Sequence, residues 1–186
     1  MAAACVKNQK NLPVRLMFHD EARFGRMSDP RACWAPAPKR PMVGLALVRE
    51  FRYEYAAISP WSGELDYMTS EKMDTENMSR FLKQVSETYD QHFIVMVLDG
   101  APSHRGKALE VPGNMALVFL PPYSPELNPV EQLWNILRRD YFANRVFDSL
   151  HAAILQAEHG LANMASNKQA LKSLTNWPWI NAILNA

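Results

Sequence analysis

Six consecutive apolar residues, Phe93–Leu98 (FIVMVL), constrain this chain more than any other feature. A strand with one face in water alternates apolar and polar side chains. An unbroken apolar run fits a central strand covered on both faces. Such a strand needs layers on each side of its sheet, which points to an α/β architecture. The run stops at Asp99-Gly100-Ala101-Pro102, so a carboxylate stands where the strand leaves the core.

The remaining pattern fills in a mixed sheet. Residues 14–19 (VRLMFH) read as a buried strand ending in Asp20-Glu21, and residues 22–41, rich in Pro and Arg, as an irregular surface loop. Residues 51–59 and 64–69 form an antiparallel hairpin around Pro60-Trp61-Ser62-Gly63. A helix capped by Asp74 or Thr75 follows, with Met78, Phe81, Leu82, Val85 and Tyr89 on one face. A short helix near residues 103–110 and another buried strand at 115–120 come next. Residues 121–129 hold four prolines and make a rigid loop into a helix reaching about residue 141. Two more helices are expected near residues 149–164 and 168–174. The expected organisation is a lead-in over residues 1–13, a core over 14–145 and a helical extension of the same domain over 146–186.

Composition narrows the class. With 186 residues and 48% hydrophobic content the chain can build one real core, which argues against disorder. A net charge of +1 lacks the basic excess common in nucleic-acid binders. The charge is uneven, however: Arg23, Arg26, Arg31, Lys39 and Arg40 cluster against only Glu21 and Asp29. Such a run is more often solvated surface than a binding face. Cys5 and Cys33 have neither zinc-site spacing nor a secretory context. No signal-peptide core or membrane-length apolar run occurs, so a soluble cytoplasmic protein with reduced thiols is expected.

Three carboxylates stand at the ends of expected elements: Asp20 and Asp99 after strands, and Glu131 in the first turn of a helix. Ligand sites in α/β sheets gather at strand ends. If the three converge, they repel one another and favour a hard cation, Mg²⁺ or Mn²⁺, since no His or Cys belongs to the set. Each also has a plainer reading. Asp99-Gly100 can be a turn, Asn128-Pro129-Val130-Glu131 an ordinary helix start, and Asp20 the solvated end of a strand. Their convergence is a matter of tertiary structure.

The segments around these acids carry a resemblance. Phe18-His19-Asp20-Glu21-Ala22-Arg23-Phe24 resembles the first acidic motif of mariner-like transposases and their bacterial insertion-sequence relatives. Leu98-Asp99-Gly100-Ala101-Pro102-Ser103-His104 resembles the second. The stretch from Leu120 through Pro121-Pro122-Tyr123-Ser124-Pro125-Glu126-Leu127-Asn128-Pro129-Val130-Glu131 to Trp134 resembles the third, and it is the most specific. The resemblance covers roughly residues 14–142. The second motif often has Asn after its Asp, where this chain has Gly100.

The resemblance implies a ribonuclease-H-like fold with Asp20, Asp99 and Glu131 as catalytic and metal-binding residues. It implies two Mg²⁺ or Mn²⁺ ions, cleavage of double-stranded DNA at transposon ends, and transfer of the freed 3′ end to target DNA. Family members carry a helix-turn-helix domain before the core, so a separate DNA-binding subunit or a missing N-terminal domain is expected, and synapsis of two ends suggests a homodimer. Glu21, His104, Arg138 and Arg139 are candidates for supporting the triad or touching DNA, although solvated surface is the plainer reading for Glu21 and for helix arginines. Leu133, Trp134 and Leu137 read as core, Trp177 and Trp179 as packing of the C-terminus, and Tyr123 as a brace of the proline loop. Competing readings are a ribonuclease-H-like nuclease without strand transfer, an inactive transposase remnant, and a glycosidase with paired carboxylates.

Overall fold

A computed structural model describes residue 8 and residues 11–184; Cys5 and most of the expected lead-in lie outside the described residues. Its centre is a five-stranded sheet of β1 (Val14–Met27), β2 (Leu47–Ser59), β3 (Glu64–Ser70), β4 (Phe93–Leu98) and β5 (Met115–Phe119) in the order β3-β2-β1-β4-β5. β1 runs parallel to β4, and β4 parallel to β5, while β2 is antiparallel to both β1 and β3. The hairpin between β2 and β3 turns at Gly63, whose φ of +70° suits a residue without Cβ.

The apolar run of β4 is buried at every residue, and its two sets of side chains enter different cores. Ile94, Met96 and Leu98 join Met17 of β1 beneath helix α1 (Thr75–Thr88), which contributes Met78, Phe81, Leu82 and Val85. Asp74 caps α1 by accepting the Asn77 amide at 2.9 Å. Phe93, Val95 and Val97 join Leu16, Phe18, Ala22 and Phe24 on the opposite face. There they meet α3 (Val130–Ile136), α4 (Leu150–Ser166), α5 (Lys168–Thr175) and α6 (Pro178–Leu184). Helix α3 continues as π-helical turns over Leu137–Phe142. Gly160 of α4 lies so near Leu137 and Tyr141 that a Cβ there would collide with both.

Several elements differ from the sequence reading. β1 extends to Met27, so the segment expected to be a loop from residue 22 begins as strand. Ala22 and Phe24 are buried, opposite Glu54 and Arg52 of β2, and the intervening arginines had masked this alternation. Asp20 therefore lies within a strand rather than at its end. The short helix after Asp99, α2, is a single turn, Pro102–Arg105, that stops at Gly106, a poor helix residue. β5 is an edge strand with Phe119 40% exposed, not a fully buried one. Helix α6 was not anticipated. It starts at Pro178, and Trp179 before Ile180 sets its ring edge-on to Phe18 at 6.0 Å. Among the described residues no helix is long and apolar enough to cross a membrane.

Candidate active site

The β1–β4 ladder ends at the pair Phe18↔Val97. Past that pair β1 continues alongside β2 while β4 stops at Leu98, so the sheet forks. Asp20 lies on β1 just beyond the fork, and Asp99 is the first residue after β4. The Asp99 carboxylate accepts the Ala101 amide at 3.0 Å, which tightens the turn, and its side chain stays 56% exposed.

Glu131 is brought to the same place by the start of α3. Asn128, almost fully buried, donates from its side-chain amide to the His19 carbonyl at 2.9 Å and accepts the Val130 amide at 3.2 Å. One side chain thus holds the first backbone amide of the helix and ties it to the β1 backbone beside Asp20. One turn further on, the Trp134 indole N–H donates to Asp20 Oδ2 at 2.9 Å. Asp20, Asp99 and Glu131 together line a cavity of about 430 Å³, walled by Leu120, Pro121, Pro122 and Arg105.

Burial, and next the negative charge of Glu131, push the Asp20 carboxyl up to about 7; nearby His19 and the Trp134 donor oppose this without cancelling it. A buried carboxyl beside a second carboxylate is one whose ionised form a bound cation would favour. The donor set contains only hard oxygens, which fits a divalent cation such as Mg²⁺ or Mn²⁺.

Behind the cavity lies a second, buried cluster. The Glu21 side chain is 4% exposed and His104 1%. His104 Nε2 lies 2.8 Å from Glu21 Oε1, while its Nδ1 faces Asp99 Oδ1 at 2.8 Å and the Asp99 carbonyl at 3.2 Å. Both ring nitrogens face oxygen acceptors, an arrangement that the protonated, doubly donating imidazole satisfies. Burial works against that charge, but the bond and charge of Glu21, and then Asp99, outweigh it and raise His104 above the usual histidine range. Glu21 follows the same logic. Burial alone would raise it, yet His19 and His104 together hold it at about 2. His19, Glu21 and His104 present ligand atoms within 4.8 Å of one another, a spacing that would also suit a metal. In the protonated network His104 supplies the positive charge itself and links Glu21 to the Asp99 carboxylate.

The sequence reading of Glu21 as solvated surface is thus overturned, because a cationic histidine partner makes its burial tolerable. Arg138 and Arg139 do not line the carboxylate cavity: Arg138 lies over the Phe24 ring at 5.4 Å, and Arg139 pairs with Asp140. Tyr123 is fully exposed with φ of +58°, so it projects from the proline loop rather than bracing it. Three residues escaped the sequence reading as contributors to the site: Asn128 as a tie to β1, Trp134 as a donor to Asp20, and Arg105. The signal for Trp134 was present, since it lies three residues after Glu131 and shares its helix face.

This mixed sheet, with helices on both faces and acids at the fork and at the first turn of α3, is a ribonuclease-H-like fold. Residues 15–154 match the family model of the DDE superfamily endonucleases, and the chain belongs to that family. A Sinorhizobium fredii protein described as uncharacterized protein y4pE/y4sA is 38% identical over 96 residues, which is 51% of this chain and 71% of that protein. Among solved structures, the Mos1 mariner paired-end complex with Mn is similar in fold, with a TM-score of 0.62 at 15% identity, covering 87% of this chain and 54% of that one. The corresponding complex with Mg gives a TM-score of 0.60 at 16% identity, covering 87% and 53%. The chain spans about half the length of these Mos1 chains.

Proposed function

We propose that this chain is the catalytic core of a transposase that cleaves DNA strands at transposon ends and transfers them to target DNA, with Asp20, Asp99 and Glu131 as its catalytic acids. The observation that carries this reading is the arrival of these three carboxylates, distant in sequence, around one cavity. The three would hold two Mg²⁺ or Mn²⁺ ions, which supply Lewis-acid activation of the phosphodiester and of the attacking hydroxyl. The protein's own part is positioning. Trp134 fixes the Asp20 carboxylate, His104 fixes Asp99, and Asn128 fixes the helix that presents Glu131. Rigid support of this kind holds a reacting phosphate and its nucleophile in line.

The substrate in this reading is double-stranded DNA. Recognition of specific ends would come from a helix-turn-helix domain or a separate subunit, consistent with the near-neutral charge of the chain. Residues 14–145 would form the core, and the helices after residue 146 would belong to the same domain, since Ala153, Ala157, Leu161 and Leu171 enter the core that also holds Trp134. Work at two transposon ends would use two copies of the chain.

The test is incubation of labelled duplex DNA, intact and pre-cut at a transposon end, with Mg²⁺ or Mn²⁺. The expected result is nicking or end-joining that disappears with a chelator, with Asp99→Ala and with Glu131→Gln. Cleavage that persists in Asp99→Ala would overturn the assignment. Nicking without joining of the pre-cut end would favour a nuclease that lacks strand transfer.

A further inference from the structure

Gly100 occupies the position after Asp99, and its surroundings show what a side chain would displace. A Cβ built there would lie 2.6 Å from an Arg105 Nη, 3.0 Å from Cζ and 3.2 Å from Nε. The Arg105 guanidinium thus fills the space that any larger residue at position 100 would claim. It is held there by two features. The single turn of α2 turns His104 inward and Arg105 outward, and the guanidinium rests over the Phe119 ring at 4.8 Å.

This guanidinium lines the same cavity as Asp20, Asp99 and Glu131. Among the described residues no hydrogen bond or ion pair engages it, although three carboxylates surround the cavity. An arginine carries five N–H donors in a planar fork that matches the paired oxygens of a phosphate. A cavity lined by three carboxylates repels a phosphodiester, so a fixed cation at its wall has a clear use. The ring beneath the guanidinium limits its freedom without consuming its donors.

We infer that Arg105 is a phosphate-binding residue of the cavity, gripping non-bridging oxygens of the DNA phosphodiester at the carboxylates, and that Gly100 is the gap which admits it. The inference rests on the reading of Asp20, Asp99 and Glu131 as the DNA-processing site. It also gives Gly100 a physical role: the small residue and the arginine are one device. A side chain at position 100 would push the guanidinium off Phe119 and out of the cavity.

The test is the affinity of a fluorescent blunt duplex in Ca²⁺ at low salt, measured for the full chain and for Arg105→Ala, Arg105→Lys, Gly100→Ala and the double variant. Arg105→Ala should weaken binding about 10- to 100-fold, the span of one charge-assisted contact. It should also lower the salt slope by about one phosphate contact. Arg105→Lys should restore the slope while recovering only part of the affinity, since the ammonium lacks the fork. Gly100→Ala should weaken binding in the native background and add nothing once Arg105 is gone. Arg105 is exposed, so its variants should fold, and Mn²⁺ affinity should survive Arg105→Ala. Equal affinity and salt slope for Arg105→Ala and the native chain would overturn the inference, as would a native chain that ignores the duplex at low salt. A Gly100→Ala loss undiminished in the Arg105→Ala background would also overturn it. Mn²⁺ binding that survives Asp99→Ala would instead count against the carboxylate site, which separates the two failures.

Discussion

Replacing Asp20 with Asn should stabilise the metal-free protein at alkaline pH and leave it nearly unchanged at acid pH. Burial and Glu131 raise the Asp20 carboxyl from 3.8 to about 7 in the folded chain. An acid whose folded pKa lies above its unfolded value resists ionisation in the native state. Its penalty is absent below about pH 4, grows as pH rises to about 7, and is constant above that. At about 1.4 kcal/mol per pH unit, a rise of roughly 3 units sets a ceiling of about 4 kcal/mol. Asp20 is only partly buried by accessible area, and water near the cavity mouth would screen it, so about 2 kcal/mol is the working expectation. Asn can still accept the Trp134 indole proton, so the substitution removes the charge and keeps the bond. Thermal unfolding in chelator at pH 4 and pH 8 reads the effect. For a chain of this size each kcal/mol shifts Tm by about 2–4 °C, so Asp20→Asn should gain roughly 4–8 °C on the native protein at pH 8 and little at pH 4. Mn²⁺ should then stabilise the native protein at pH 8 and leave the variant unmoved. Parallel pH profiles for the two proteins, or a variant less stable at pH 8, would refute the reasoning.

Three further outcomes follow from the same structure. His104→Gln cannot donate at both ends of the Glu21–Asp99 link, so Mn²⁺ affinity and DNA cleavage should each fall about 10- to 100-fold, with the apparent KM for DNA unchanged. Glu54 is fully buried. Burial, and after it the charge of Glu158, raise it to about 7 although the Thr69 hydroxyl donates to it at 2.8 Å. By the sign worked out for Asp20, Glu54→Gln should add up to about 3 kcal/mol at pH 8 and nothing at pH 4 in denaturant unfolding. Gly63→Ala should destabilise by about 1 kcal/mol or more, because φ is +70° and the added Cβ would strike the Lys168 carbonyl, a loss that unfolding midpoints would register.

Local pattern revealed those parts of the fold that local pattern determines. The run Phe93–Leu98 announced a doubly covered strand because both of its faces enter cores, and the spacing of Met78, Phe81, Leu82 and Val85 announced α1 because one face of that helix is buried. The extension of β1 was hidden because Glu21, Arg23 and Arg26 look like surface while Ala22 and Phe24 between them do the packing. Spacing alone did not bring Asp20, Asp99 and Glu131 together; the fork between β1 and β4 does so, and it depends on register. Family-like motifs around the acids anticipated that meeting. The buried link from Glu21 through His104 to Asp99 was illegible because a carboxylate in sequence reads as solvated until its cationic partner is known. Arg105 was missed for a related reason: its role depends on the empty space at Gly100, and a missing side chain gives no sequence signal of what fills its place.

The most direct test of the central claim is a Mn²⁺ titration of the purified chain, followed by calorimetry or by electron paramagnetic resonance of the free ion. Saturable binding of about two ions at the three-acid cavity is the expected result. Asp20→Asn, Asp99→Ala and Glu131→Gln should each weaken that binding strongly, while Glu54→Gln, which is outside the cavity lining, should leave it intact. Binding that is indifferent to all three cavity substitutions would contradict the assignment of Asp20, Asp99 and Glu131 as one cation site.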